Sequence, residues 1–130
     1  MKTPENLKYA STDEWLLVEG NTATLGVSDY AQDQLSDVVF VEITAGIGET
    51  VTKGSIVATI ESVKAAADVT IPVSGKVIAV NEGLSDTPEV INSDPFGAAW
   101  MIKVELSDPK ELSDLMDAKA YSEYCETRSH

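Results

Sequence analysis

The sequence has few of the residues on which compact catalytic and metal sites are built. It contains one Cys and one His in 130 residues, which excludes an internal disulfide and a Cys/His metal cluster. Lys and Arg number 9 against 22 Asp and Glu, a net charge of −13, so this field disfavours binding to nucleic acid or to an anionic membrane. No apolar run reaches membrane-spanning length. We therefore expect no metal, no nucleic-acid partner and no membrane partner.

What is present fits one globular domain, expected to span residues 1–130. The hydrophobic fraction is 43% and the charged fraction 24%, both ordinary for folded domains. The start, MKTPENLKYA, has neither an apolar signal core nor Arg-rich transit character, which predicts a cytoplasmic, bacterial chain rather than a mitochondrial one. A fold of this kind needs no partner to close, so we expect a monomer.

Short alternating segments predict a mainly β fold. Residues 15–27 predict a hairpin that turns at Gly20-Asn21. Ser28 is typical of the N-cap of a short helix ending near Gln34. Apolar runs and alternating segments predict further strands at residues 38–43, 55–62, 67–73, 76–80 and 100–106.

Details of these strands carry further expectations. In the second of them, the alternation places Ile56, Ala58 and Ile60 on one face and Val57 on the other. Pro72 lacks an N–H and therefore indicates a sheet edge or a bulge. Residues 84–99 form a long loop by composition, and loops of that length are often functional.

The C-terminal segment is predicted to be helical. Asp108 as N-cap, Pro109 at the first position and Glu111 three residues on make a capping box. Apolar side chains at helical spacing follow and continue through Cys125, which predicts one helix or two. Many short strands with one helical end predict a small β-sandwich or flattened barrel with a short N-terminal helix and a C-terminal helical appendix.

The segment ESVKAAADV, residues 61–69, is the most informative in the chain. Two alternating strands flank it, so Lys64 is expected at an exposed hairpin tip among small neighbours. Such a Lys is usually a solvated charge. Acylation of its ε-amine would instead produce a long, uncharged tether. A reactive group at the end of that tether could visit several active sites at high effective concentration.

This segment resembles the lipoyl-attachment hairpin of the H protein family of the glycine cleavage system. Other segments resemble the same family in the same order, from Leu7 to about Tyr124: LKYASTDEW, GVSDYAQDQLSDVVFVEI, PVSGKVIAVNEGLSDTPEVIN, NSDPFGAAWMIKV and ELSDLMDAKAY. Biotinyl carriers share the hairpin but are expected to have Met on both sides of the Lys, so Val63 and Ala65 argue against biotin.

The resemblance implies a lipoyl carrier with a barrel-sandwich hybrid fold, lipoate attached covalently to Lys64 and no catalytic residue of its own. The implied partners are glycine decarboxylase, which is a pyridoxal-phosphate enzyme, an aminomethyltransferase, dihydrolipoamide dehydrogenase, and a lipoate ligase or transferase. In that scheme the carrier takes an aminomethyl group from the decarboxylase to the aminomethyltransferase. It then delivers the reduced dithiol to the dehydrogenase.

The family also implies a pocket that shelters the loaded arm. Its positions match Thr12, Glu14 and Asp68 in this chain. We expect Glu14 to be the main partner of the cargo's ammonium group, because a carboxylate forms a charge-assisted hydrogen bond with such a group. The alternative is that both acids are ordinary surface charges. Asp13 stands where the family usually has His, so any role of that His is lost.

The residues alone do not distinguish this function from several others. A lipoate-relay carrier of the same fold, another lipoyl carrier or an unmodified acidic interaction domain would each fit, and a small hydrolase could use Asp13 with Glu14. Cys125 is expected to be a packed side chain, and His130 a terminal residue without a role. The large aromatic residues are expected in the core or lining a cleft: Trp15, Phe40 and Trp100.

Overall fold

The computed structural model describes residues 1–128 and consists mainly of β-strands, as predicted. The strands in this part of the chain are β1 Lys8–Tyr9, β2 Glu14–Glu19, β3 Thr22–Val27, β4 Val38–Ile43, β5 Thr50–Val51, β6 Ile56–Ser62, β7 Ala66–Thr70, β8 Gly75–Val80 and β9 Ile102–Leu106. The helices are α1 Asp29–Leu35, α2 Val90–Ser93 and α3 Ala118–Glu126, with 3₁₀ helices at Glu82–Asp86 and Pro109–Asp114.

The strands form two sheets with antiparallel neighbours. One sheet has the order β1-β2-β3-β9-β8-β5, and the other has the order β4-β6-β7. Buried side chains from both sheets form a shared core, which includes Leu25, Val41, Ile60, Val77 and Val104. Two open sheets around a common core, with a helical C-terminal end, agree with the predicted barrel-sandwich hybrid.

A second cluster of buried side chains joins both longer helices to β1 and β2. Its buried members are Leu7, Tyr9, Trp15, Tyr30, Ala118, Tyr121 and Cys125, here called the aromatic cluster. The rings of Tyr9 and Tyr121 stack with their centroids 4.6 Å apart. The cluster confirms that Cys125 is a packed side chain, whereas His130 lies outside the described residues.

The predicted first hairpin and helix start are confirmed. Glu19 pairs with Thr22 across the turn, and Gly20 adopts a positive φ of 61°, which glycine tolerates without strain. The Ser28 side chain accepts a hydrogen bond from the Ala31 backbone N–H at 3.1 Å. This bond satisfies one of the free donors at the start of α1.

The predicted faces of β6 are wrong at its start. Ile56 is 52% exposed, whereas Val57 and Ala58 are both fully buried. The pairing with β7 shifts between Ile56 and Ala58, so a β-bulge puts two consecutive residues on the core side. β7 ends at Thr70, two residues before Pro72, which therefore lies outside the strand.

The segment 84–99 is not an open loop. Leu84 and Ile91 lie on its two short helices and are buried in the core. The Asn92 side chain accepts a hydrogen bond from the Val38 N–H at 2.8 Å and donates to the Ser36 carbonyl at 2.8 Å. The segment thus fixes the end of α1 and the start of β4, which is a structural role that its composition did not indicate.

The predicted capping box is also wrong. Asp108 does accept a hydrogen bond from the Lys110 N–H, but the Glu111 carboxylate instead binds the Ser74 N–H at 2.6 Å and the Ser74 hydroxyl at 3.0 Å. The helix that starts here is a short 3₁₀ helix, and α3 begins separately after Asp117, which caps it. Glu111 therefore binds Ser74, which is distant in sequence, rather than the start of its own helix.

The aromatic prediction is confirmed for Trp15, which lies in the core, and for Phe40, which lines the groove beside β4. Trp15 is buried, and its indole N–H donates to the Pro95 carbonyl at 2.9 Å. Trp100 is partly buried against the aromatic cluster. Phe40 is 45% exposed because it lies on the outer face of β4, opposite Glu61 of β6. Within residues 1–128 the structure has no helix long and apolar enough to cross a membrane.

We predict that Asn92→Ala lowers the free energy of unfolding by about 1–3 kcal/mol, because the buried Val38 N–H and the Ser36 carbonyl lose their partner. Urea unfolding monitored by Trp fluorescence measures this. Asn6→Ala, at an exposed position, is the matched control and should be neutral. Equal stabilities of the two variants would contradict the role given to Asn92.

Candidate functional site

The β6–β7 hairpin presents Lys64 at its tip. The Ser62 N–H donates to the Ala65 carbonyl at 2.8 Å. The Ser62 hydroxyl oxygen accepts from the N–H groups of Lys64 at 3.3 Å and Ala65 at 3.1 Å. One serine therefore closes the turn. The Val63 N–H donates a hydrogen bond to the Asp37 carbonyl at 3.0 Å, which connects the turn to the segment before β4. The tip is a defined turn rather than a loose loop.

The Lys64 side chain is accessible. It is exposed, as are Ala65 and Ala66 on its C-terminal side. Val63 on its other side is 65% exposed. The salt bridges found within residues 1–128 do not involve Lys64. An enzyme that modifies the ε-amine would therefore meet neither a covering side chain nor a competing carboxylate.

A cleft of about 200 Å³ lies beside this hairpin and contains Thr12, Glu14 and Asp68. The structure thus brings together the three residues matched to the arm pocket. The remaining wall is mostly apolar and consists of Val27, Ala31, Leu35, Ile60, Ala67 and Val69, with Asp13 and Gln34. The cleft combines an apolar surface with a few acidic groups.

The hairpin connects this cleft to Lys64 directly. Asp68 lies on β7, four residues after Lys64, and a strand advances about 3.3 Å per residue, so the two Cα atoms are at most roughly 13 Å apart. Larger grooves of about 490 and 470 Å³ lie elsewhere, the first between α1 and α3 and the second beside β4. None of the predicted site residues lines either of them.

Glu14 is an unusual acid because it is only 2% exposed. The Thr12 hydroxyl donates to one carboxylate oxygen, and the Thr70 N–H donates to the other at 3.4 Å. Burial raises the pKa of Glu14 to about 7, although these two hydrogen bonds oppose the rise. The interpretation of Glu14 as an ordinary surface charge is therefore wrong. Asp68, by contrast, is exposed.

Near neutral pH the Glu14 carboxyl divides between its two protonation states. The ionised form is an acceptor for an ammonium group, and its apolar surroundings strengthen that attraction relative to water. The site can therefore bind a small cation at the end of an apolar chain. Within residues 1–128 no group of His, Cys, Asp and Glu side chains has the arrangement to hold a metal ion.

Asp13 does not act as a free partner of Glu14. Arg128 binds both of its carboxylate oxygens, at 2.6 and 2.9 Å, and the Tyr121 hydroxyl donates to one of them at 2.9 Å. A carboxylate held by two donors is poorly placed to act as a general base. The geometry therefore gives no support to a hydrolase that uses this pair.

Arg128, Tyr121 and Thr70 are not among the site residues predicted from the sequence. Arg128 lies 115 positions from Asp13 and Thr70 lies 56 positions from Glu14, so no local pattern joins them. The one signal in the sequence was Asp13 itself, an acid where the resembling family usually has His.

We predict that Glu14→Gln stabilises the unmodified chain at pH 8 more than at pH 5. The ordinary pKa of the carboxyl is near 4.5 and its folded value is about 7. The wild type therefore loses stability as pH rises through this interval, by up to about 3 kcal/mol, whereas Gln does not ionise. Urea unfolding at both pH values measures the difference. Glu105→Gln, at an exposed position, is the control, and an equal gain for Glu14→Gln at both pH values would contradict the buried titration.

Comparisons with known proteins identify the family of this chain. A sequence model of the Glycine cleavage H-protein family matches residues 7–128. The glycine cleavage system H protein of Thermotoga maritima is 52% identical over 118 residues, which cover 91% of this chain and 94% of that protein. The mitochondrial glycine cleavage system H protein 2 of Arabidopsis thaliana is 49% identical over 122 residues, covering 94% and 78% of the two chains.

A solved structure agrees at the level of the whole fold. The crystal structure of a glycine cleavage system H protein from Mycobacterium marinum matches with a TM-score of 0.82 and 30% identity, and the match covers 98% of this chain and 99% of that one. The family model, the sequence relatives and the fold all agree. The chain belongs to the glycine cleavage H-protein family.

Proposed function

We propose that this chain is the lipoyl carrier of a glycine cleavage system, with lipoate attached through an amide to the ε-nitrogen of Lys64. The observation that carries the proposal is the exposed Lys64 at a well-defined hairpin tip, next to a cleft that holds a buried carboxyl group. Family membership supports the carrier role in glycine cleavage. When bound, lipoate would supply a disulfide that accepts the aminomethyl group at one sulfur while the other sulfur becomes a thiol, and a dithiol would remain on the arm once the group has been transferred.

The residues of this chain fit such an arm. Small or exposed neighbours leave Lys64 open to a lipoate ligase or transferase. The apolar part of the cleft matches a hydrocarbon chain, and Glu14 and Thr12 match a polar end. The charged side chains on the cleft wall are acidic, which suits the ammonium of the aminomethyl cargo and would repel an anion.

The cleft also protects its cargo in this proposal. Hydrolysis adds water to the aminomethyl group and releases formaldehyde and ammonia while a thiol is regenerated. Apolar walls reduce the access of water to the reacting carbon. A charge-assisted hydrogen bond from the cargo's ammonium to Glu14 holds that carbon inside.

The partners in the proposal are those that exchange the cargo or the electrons. They are the pyridoxal-phosphate glycine decarboxylase, the aminomethyltransferase and dihydrolipoamide dehydrogenase. The chain acts between them as a carrier subunit without a reaction of its own. We infer the cytoplasm of a bacterium as its compartment and a monomer as its working state.

We predict that intact mass spectrometry of the chain produced in a lipoate-competent host shows one lipoyl increment, which Lys64→Arg abolishes. The control Lys76→Arg, at an exposed position on β8, should keep the increment. Absence of the increment in the wild type would favour an unmodified interaction domain. Failure of the lipoylated chain to support glycine–bicarbonate exchange with the decarboxylase would favour lipoate relay.

We predict that Glu14→Ala shortens the lifetime of the aminomethyl load by about tenfold or more, because a hydrogen bond to a charged group contributes about 1.5–3 kcal/mol. Carrier loaded from labelled glycine is isolated, and released formaldehyde is measured with time. Glu105→Ala, which removes a carboxyl group at an exposed position, is the control. A Glu14→Ala carrier that keeps its load as long as the control would refute the role of Glu14.

A further inference from the structure

The turn before Glu14 is held by a residue from the far end of the chain. Asp13 has a positive φ of 77°, a region that non-glycine residues rarely adopt and that needs support from elsewhere. Arg128 forms a two-pronged ion pair with it, in which both side chains are largely buried, 29% and 16% exposed respectively. The pair is bidentate, which fixes the orientation of the carboxylate as well as its charge.

The guanidinium is itself fixed. It lies over the ring of Tyr30 at 4.5 Å and over the ring of Tyr124 at 4.7 Å. These contacts join α1 and α3 around one cation. A planar guanidinium can stack and bind a carboxylate in two places at once, which an ammonium cannot do. The arrangement therefore depends on Arg at this position.

Arg128 neutralises a charge that would otherwise act on the cleft. Asp13 lines the same cleft as Glu14 and Asp68, and no Lys or Arg is among the described residues that line it. Without Arg128, the Asp13 carboxylate would be an unpaired negative charge next to Glu14. It would then compete for a cationic cargo and would disfavour ionisation of Glu14.

We propose that Arg128 is a positioning residue of the cleft, which binds both oxygens of Asp13 and so leaves Glu14 as the acceptor for a cationic ligand. The consequence for the loaded arm rests on the proposed function. The effect on Glu14 does not, because it needs only the unmodified chain. The groups that face Glu14 are the Thr12 hydroxyl, the Thr70 N–H, Asp13 and Asp68.

The test follows the titration of the Glu14 side-chain carboxyl by ¹³C NMR in the unmodified, full-length chain. Arg128→Gln should raise the midpoint by about half a pH unit or more, as an uncompensated neighbouring carboxylate does. Asp13→Asn, which removes the competing charge, should not raise it. The double variant Asp13→Asn/Arg128→Gln should return to the wild-type midpoint or below it. Arg128→Lys, which keeps the charge but cannot bind both Asp13 oxygens while stacking on the two rings, should give a midpoint between those of Arg128→Gln and the wild type.

A purely structural role for Arg128 gives a different result and would overturn the proposal. In that case Arg128→Gln lowers the thermal midpoint but leaves the Glu14 titration unchanged. The Asp13→Asn variants keep the test open if Arg128→Gln folds poorly, since a midpoint that rises in Asp13→Asn contradicts the proposed charge effect.

The lipoylated carrier separates this inference from the proposed function. If the function holds, Arg128→Gln should release the aminomethyl load faster than the wild type, and added Asp13→Asn should slow the release again. If the wild-type chain acquires no aminomethyl load, the proposed function fails; if wild type and Glu14→Ala lose their load equally fast, only the role of Glu14 fails. In both cases the NMR result still decides the role of Arg128. An Arg128→Gln midpoint equal to that of the wild type refutes the inference alone.

Discussion

The pairing of β6 with β7 is the constraint on which the site depends. It places Ile60 opposite Ala67 and Thr59 opposite Asp68, so apolar residues face the core while Asp68 faces outward. A shift of one residue would exchange these faces and would put Asp68 into the core. The register that buries the apolar face therefore also sets where the Lys64 turn falls. The bulge between Ile56 and Ala58 absorbs an irregularity at the end of the hairpin far from that turn.

Much of the fold follows from local chemistry that a sequence displays. The turn at Gly20 and the Ser28 cap were predicted because each depends on a backbone conformation or a hydrogen bond within a few residues. The bulge in β6 could not be predicted in this way. Ile56, Val57 and Ala58 are all apolar, so their pattern does not say which of them faces solvent. Glu111 was misassigned because its partner, Ser74, lies 37 positions away.

The same distinction between local and distant contacts applies to the site. The hairpin tip at Lys64 could be predicted, since strand alternation and small residues lie next to each other in sequence. The burial of Glu14 could not, because a chain with 22 acids offers no local reason to choose one of them as buried. That burial depends on β7 packing near the turn before β2, as the Thr70 N–H contact to Glu14 indicates. The Asp13–Arg128 pair is still more distant in sequence and was missed for the same reason.

The protonation of Glu14 reconciles burial with cation binding. An exposed carboxylate would be fully ionised at neutral pH, but an ion pair at the surface contributes only about 0–1 kcal/mol. A deeply buried carboxyl without partners would stay protonated and would bind no cation. With a pKa of about 7, the group is half ionised at that pH, so selecting the ionised form costs only about 0.4 kcal/mol.

The Thr12 hydroxyl and the Thr70 N–H keep the pKa from rising further, since both stabilise the ionised form. On the proposed function, an arriving ammonium displaces the proton of the remaining neutral molecules and interacts in surroundings that screen it less than water does. Glu14 would then be a strong acceptor when the cargo is present. When the cleft is empty, the chain avoids the full cost of a buried charge because the carboxyl takes up a proton.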